Sequence, residues 1–421
     1  MTENHKETIE HLTGSLLGWY AICTSKNLKN DSIYFFSLFN EPLALFRDKE
    51  SKAVCIKDLC THRAASFRGG EIKENEIICP YHGARYSSES TGKNPDKVTC
   101  QYIVDARYAN YAKRTHLYQY PCLEEGDYIY VYYTGKAKVD LDLFEIKSPL
   151  DSLVLDSHGF GLSEYAFEEA LLDFKCDWSR IIENHLDILH IFWMHGASLP
   201  GNDVGRHSIA SFDQKTKHTK YSLQTKYFHK DKEDEEFITQ TFIPPGRIVM
   251  YRGSPESARY VQVLDHIPMA NNRARVIVRH YRKFFRNQTL CRAMLFKPLQ
   301  IKTFYRIFSE DYLVLMTQTF NEQMGYMKGD SLRLLGEDRT IKMFWDWHEK
   351  TLNKDSPWDI HPLTPEVNEV HQELLMVYPP ENKRLVNNLN RVIFRRVLLR
   401  LVVVLLVLLA IVLAVTSLFR S

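Results

Sequence analysis

Two short motifs constrain this chain more tightly than anything else in it: Cys60-Thr61-His62 and, after 16 intervening residues, Cys79-Pro80-Tyr81-His82-Gly83. Each places a thiol and an imidazole on one short loop, so a metal centre held by both must draw the loops together and staple the strands that carry them. Two cysteines and two histidines suit a two-iron cluster with thiolates on one iron and imidazoles on the other. The alternative is a structural zinc site, but those usually open with cysteines roughly two to four residues apart and pair their histidines separately. Around the motifs lie short β-rich runs, Trp19–Cys23, Leu43–Phe46, Ala53–Ile56 and Tyr128–Tyr132. They predict a small antiparallel sandwich or barrel over residues 16–135.

A second constellation occupies Glu183–His195. Asp187 and His190 stand three apart and share a helical face, whereas His195, five beyond His190, leaves that face unless the helix ends or kinks. Two histidines converging from a helix and its end, with one carboxylate from elsewhere, make the 2-His-1-carboxylate set that leaves coordination positions open for dioxygen. By itself the stretch also reads as an apolar helix with buried histidines. His185 is either a rival ligand or a packed side chain. From Tyr221 to Tyr281 the chain alternates again around a charged turn at Lys230–Glu236, which predicts a curved antiparallel sheet.

Composition sets the wider limits. A chain of 421 residues, 44% of them apolar, buries a large core and is expected to form two domains. A net charge of +2 gives no case for nucleic-acid binding. The eight cysteines are too dispersed for a secreted disulfide scaffold, which points to a reducing compartment. Cys23, Cys55, Cys100, Cys122, Cys176 and Cys291 are expected as packed thiols. Met1–Leu12, with three glutamates, resembles neither a signal nor a transit peptide.

Leu401–Phe419 is an uncharged run of 19 residues, roughly 28 Å long as a helix, and predicts one membrane span. Arg391, Arg395, Arg396 and Arg400 precede it and only Arg420 follows, so the catalytic part is expected on the cytoplasmic side, with 376–400 a basic juxtamembrane segment. Arg282–Arg306 holds seven basic residues and no acidic one, with aromatic residues such as Phe284, Phe304 and Tyr305 interleaved. It reads either as a surface lying on anionic headgroups or as a half-buried helix with a solvated basic face.

Cys60–Ala65, Gly69-Gly70 and Cys79–Gly83 together resemble the N-terminal domain of the Rieske non-heme iron oxygenases, and Glu183–His195 resembles the family's second signature. The resemblance covers most of residues 16–325. The Asn184–Asp187 spacing is similar to the monooxygenase and demethylase branch and, with the anchor, to the pheophorbide a oxygenase and Tic55-like proteins.

The resemblance implies an α+β fold: an antiparallel Rieske β domain, then a helix-grip catalytic domain at 150–375 in which a curved sheet holds a long C-terminal helix, then the transmembrane helix. It implies a [2Fe–2S] cluster on Cys60, His62, Cys79 and His82, and a mononuclear Fe(II) on His190, His195 and a carboxylate of the later helix. Asp311 is the first choice for that carboxylate, Glu310 the second, and an exposed acidic pair the bland reading. Asn184 and Asp187 line the iron, and Asp187 also reaches His82 of a neighbouring subunit in a homotrimer.

The expected activity is a membrane-anchored monooxygenase. It takes electrons from a ferredoxin or flavin reductase and uses dioxygen to hydroxylate, demethylate or desaturate a hydrophobic substrate, ring-containing molecules included. The rival is an electron-transfer protein whose second domain binds a ligand or partner without catalysis.

Overall fold

The computed structural model describes Leu16 and residues 18–88, 97–102, 109–112, 116–133, 165–195, 212–218, 222–229, 232–287, 296–325 and 338–355, apart from isolated positions within them. The expected linker Gly135–Pro149, Cys291, the juxtamembrane segment and the apolar run Leu401–Phe419 lie outside the described residues. Among the described residues no helix is long and apolar enough to cross a membrane.

The first unit contains β1 (Gly18–Thr24), β2 (Tyr34–Leu38), β3 (Glu41–Arg47), β4 (Ala53–Lys57), β5 (Glu71–Lys73), β6 (Glu76–Ile78), β7 (Arg85–Ser88), β8 (Lys97–Tyr102), β9 (His116–Tyr120), β10 (Cys122–Glu125) and β11 (Tyr128–Tyr133). Eight strands form one sheet in the order β2-β3-β4-β9-β8-β7-β6-β5, and β1-β11-β10 form a second. The loop carrying Cys60 leaves β4 and enters β5, while the loop carrying Cys79 joins β6 to β7. Phe46, Val54, Ile56, Phe67, Ile77 and Tyr86 fill the space beneath them.

The second unit is one antiparallel sheet in the order β12-β18-β17-β16-β15-β14-β13. Its strands are β12 (Ala166–Phe174), β13 (Phe212–His218), β14 (Leu223–His229), β15 (Lys232–Ile243), β16 (Arg247–Tyr251), β17 (Tyr260–Pro268) and β18 (Ala274–Arg282). On β12 the buried positions alternate through Ala170, Leu172 and Phe174, the period of a strand with one face on a core. Three helical elements lean on that face or close its end: α1 (Trp178–Leu186) with α2 (Leu189–Met194), α3 (Phe296–Gln323) and α4 (Arg339–Asp355).

The long α3 is gripped by aromatic contacts, Phe174 lying 6.2 Å from Phe308 and 6.0 Å from Tyr312 between ring centroids. Tyr305 donates from its hydroxyl to the Leu171 carbonyl at 3.1 Å. The helix ends at Gly325, whose φ of 75° favours a residue without Cβ and whose N–H returns to the Glu322 carbonyl.

Three local expectations are corrected. The charged turn is shorter than Lys230–Glu236, because β15 starts at Lys232 and meets β14 through an irregular register in which Lys232 pairs with His229 and Glu236 with Phe228. Arg282 is no surface cation: it ends β18, is 2% exposed and pairs with Glu168 at 3.2 Å. Phe304 and Tyr305 likewise sit in the core rather than on a basic face, because α3 turns them toward the sheet.

The two units share one core: Tyr20, Ile22, Tyr130 and Val131 pack in the same cluster as Leu172, Phe174 and Ile277. At their junction Asp265 pairs with Arg247 at 2.5 Å and Arg279 at 3.1 Å, and the Arg279 guanidinium lies 3.4 Å from the Tyr128 ring centroid. Burial alone would raise the Asp265 carboxyl, but the two guanidinium groups hold it below the ordinary value.

Candidate metal centres and the cavity between sheet and helix

The loops holding Cys60 and Cys79 have the same backbone. In each, the cysteine N–H donates to a carbonyl five residues on, Ala65 or Ala84, and its carbonyl accepts from the residue four on, Ala64 or Gly83. Those fourth positions have φ of 54° and 69°, so each loop reverses through the left-handed region. Gly70 stands where a Cβ would lie 2.1 Å from the Ile78 carbonyl oxygen, which explains a glycine where one loop crosses the other.

This apposition brings the His62 and His82 Nδ1 atoms to 3.2 Å, and the Cys60 and Cys79 thiols interact directly. Burial pushes the Cys79 thiol up, while the amides of Tyr81 and His82 pull the other way. Both cysteines are 2% exposed, whereas His62 reaches the surface and Tyr81 is 57% exposed. Two converging imidazole nitrogens over two apposed buried thiols fit the donor set of a two-iron cluster.

Two supporting residues escaped the sequence reading. Asp58 fastens the first loop, accepting from Ser66 Oγ and the Phe67 N–H, each at 2.6 Å. Buried Tyr86 places its hydroxyl 3.2 Å from Cys60 Sγ and 2.8 Å from Thr61 Oγ1. The alternation of β7 signals that Tyr86 faces inward; nothing in the sequence says what it meets.

In the second unit the chain breaks earlier than the helical reading had it. Asp177 caps α1, accepting the Ser179 N–H at 2.8 Å, and α1 ends at Asp187, whose ψ of 99° is extended. Asp187 and His190 therefore share no helical face. Instead the Asp187 Oδ1 accepts the Leu189 N–H at 2.8 Å and starts α2, and α2 ends on His195. Burial raises the Asp187 carboxyl, and the nearby Asp338 adds to this.

The Asp187 carboxylate lies 3.9 Å from His190 Nδ1, so it is the Asp187 backbone carbonyl that accepts that ring N–H. His195 donates its own Nδ1–H to Glu310 Oε2 at 2.7 Å. Burial would lower His195, but the hydrogen bonds and charges of Asp311 and Glu310 raise it.

With both Nδ1 edges occupied, the Nε2 edges turn to one oxygen. Asp311 Oδ1 lies 3.6 Å from His190 Nε2 and 3.2 Å from His195 Nε2, and ligand atoms of the three residues lie within 4.8 Å of one another. This donor set suits a divalent transition metal with open positions. Asn184 stands beside it, its amide 3.5 Å from Asp311 Oδ1. Glu310, the second choice for the third ligand, instead orients His195, the usual partner arrangement for a ligating imidazole.

Above the three residues opens a cavity of about 410 Å³ between β16–β18 and α3. Gln300, Phe304, Ile307, Phe308 and Asp311 line it from successive turns of one helical face. Leu299, 50% exposed, marks its mouth.

Residues 18–103 match the Rieske [2Fe-2S] domain family, and residues 174–334 match the vanillate O-demethylase oxygenase C-terminal domain family. The chain is 32% identical over 194 residues to the cholesterol 7-desaturase of Caenorhabditis elegans, covering 44% of this chain and 41% of that protein. It is 26% identical over 178 residues to the chlorophyllide a oxygenase of Chlamydomonas reinhardtii, covering 42% and 24%. The vanillate O-demethylase oxygenase subunit of a Pseudomonas species is 22% identical over 200 residues, covering 46% and 48%. The chain thus spans less than half the length of each of these relatives. Among solved structures, dicamba monooxygenase bound to 3,6-dichlorosalicylic acid superposes with a TM-score of 0.61 at 14% identity, over 82% of this chain and 100% of that one. At that identity the likeness concerns the fold.

Proposed function

We infer that this chain, a Rieske domain joined to an oxygenase C-terminal domain and so a Rieske non-heme iron oxygenase, oxidises a hydrophobic substrate with dioxygen at His190, His195 and Asp311. The observation that carries the reading is the convergence of those three side chains under a largely apolar cavity, in a chain whose other unit apposes two Cys/His loops. When bound, the cluster supplies single electrons and the mononuclear iron supplies dioxygen activation.

The residues of the chain position and protect this chemistry. The Asp187 carbonyl and Glu310 fix the tautomers of His190 and His195, so that both present Nε2 to the same point. Asp311 closes that point from α3, and the wall of Ile191, Leu264, Phe304 and Phe308 excludes water and favours an apolar substrate. Exposed His62 and Tyr81 offer the face on which a ferredoxin or flavin reductase would dock.

The Asp187 carboxylate, with 30% of its side chain accessible, is the link toward His82 of a neighbouring subunit in a trimer. Leu401–Phe419 would anchor the assembly where an apolar substrate resides, the catalytic part facing the cytoplasm. Removal of residues after Asn390 is then expected to release a coloured, soluble protein that keeps its iron; loss of iron on truncation would give the tail a structural role instead.

The test of the activity is iron per chain together with turnover. An oxygenase holds about three irons and a pure electron carrier about two. Cholesterol, the molecule in the name of the nematode relative, is the first substrate to offer, with a reductase, NADH and labelled dioxygen. About two irons per chain, unchanged by replacing His190 with Ala, would defeat the reading in favour of the carrier.

A further inference from the structure

One polar atom in the cavity wall is left unexplained by the metal site. His266 donates its Nδ1–H to the Gly246 carbonyl at 2.8 Å, since a carbonyl can only accept. Gly246 is tightly seated there: a Cβ would lie 2.7 Å from the His266 carbonyl oxygen. Burial holds His266 down to about 4, so its ring is neutral and its Nε2 is an acceptor. His185 Nδ1, 2.8 Å from that Nε2, must therefore carry the proton. Burial also holds His185 well below its ordinary value, so the lone pair of a neutral ring lies on His185 Nε2.

That Nε2 is buried with no hydrogen-bond partner among the described residues, and the ring lines the cavity beside His190, His195 and Asp311. Buried acceptors are seldom left without a donor. His185 itself is 7% exposed.

The opposite wall has the same polarity. Gln300 donates to His280 Nδ1, His280 donates from Nε2 to the Tyr260 oxygen, and the Tyr260 hydroxyl passes on to Gln262 Oε1 at 3.3 Å. The Gln300 Oε1 is buried without a partner among the described residues. Both unpartnered buried atoms of the wall are thus acceptors, and the described wall contains no Lys or Arg.

We propose that His185 Nε2 accepts a hydrogen bond from the substrate, and that the substrate is a largely apolar molecule that presents a hydroxyl to it. The proposal rests on the oxygenase reading of the cavity and adds the substrate's polarity to it. Gly246 and His266 form a fixed relay that sets the His185 tautomer, so this part of the wall is preorganised for a donor.

Calorimetric binding of three probes of one skeleton to the iron-loaded full chain tests it: trans-2-decalol, trans-2-decalone and trans-decalin. The alcohol should bind about tenfold more tightly than the ketone and the hydrocarbon, the ratio expected of one hydrogen bond. In His185→Leu the advantage of the alcohol should fall to about one- to twofold with iron per chain unchanged. An alcohol no tighter than the ketone, binding of no probe up to its solubility, or a full preference kept in His185→Leu would each overturn the proposal. If the variant does not fold, the alcohol-to-ketone ratio of the wild type decides. Iron content separates this from the oxygenase reading, which about two irons per chain would defeat whatever the decalol does.

Discussion

Glu310 and Asp311 are adjacent in sequence yet meet different atoms, Asp311 facing the two Nε2 edges and Glu310 reaching His195 Nδ1. Replacing Glu310 by Ala should leave the cluster spectrum intact and weaken iron at the second site by about 10- to 100-fold. Iron per chain after dialysis against a chelator reads this directly, and retention equal to the wild type would show that His195 needs no partner. Asp187 calls for a gentler change, because its side chain also starts α2. Asp187→Asn keeps an oxygen for that cap but removes the charge. Both metal centres should remain, while single-turnover reoxidation of the reduced cluster, with substrate and dioxygen present, slows by at least about tenfold, the loss expected when such an outer partner is altered. Reoxidation at the wild-type rate would end the conduit role, and a fully active monomer would end its route between subunits.

At the scale of elements, function resides in three breaks of regular structure: the two left-handed loop reversals and the interruption at Asp187. In each, local hydrogen bonds satisfy backbone groups that a continuous element would have used, backbone pairs in the two loops and the Asp187 carboxylate at the interruption. Beside these breaks, Gly70 marks a close approach of backbone to backbone. A methyl group there would meet the Ile78 carbonyl at 2.1 Å, and the backbone on both sides belongs to loops that must stay apposed. Gly70→Ala is expected to destabilise the first unit by upwards of about 2 kcal/mol and to lower cluster content, seen together as a lower melting temperature and weaker visible absorption. Full cluster occupancy with an unchanged melting temperature would show that the loops can yield.

Over the whole molecule, the shared core makes the two units one folding problem, and buried neutral histidines tie it to pH. His348 is enclosed by Trp178, Phe344, Trp345 and Trp347. Burial lowers it from 6.5 to about 4, with Glu322 opposing and Arg180 assisting. Its folded value lies below its unfolded one, so the unfolded chain takes up the proton first as pH falls. The stability it confers is complete above about pH 6.5 and is lost progressively toward pH 4, by up to about 3 kcal/mol. His348→Gln should flatten the decline of melting temperature between pH 7 and 5; an unchanged slope would assign that decline to other groups such as His266.

What the linear chain determined by itself was the chemistry of its ligand sets, because identity and spacing along a loop or a helical turn are local quantities. Cys60, His62, Cys79 and His82 read as a candidate cluster set, and His190 and His195 as two of the three candidate donors of a second, from separations of at most 16 residues between motif halves. The alternation of β14–β18 was legible for the same reason, whereas β12 was not read as a strand. Tertiary structure alone decided what crosses the chain: that Glu310 serves His195 from 115 residues away, and that His266 sets the tautomer of His185 from 81 residues away. It also decided that Tyr86 faces the Cys60 sulfur and that Arg282 is buried. Such contacts depend on sheet order and helix rotation, which no local pattern encodes, and the polarity of the cavity follows from them.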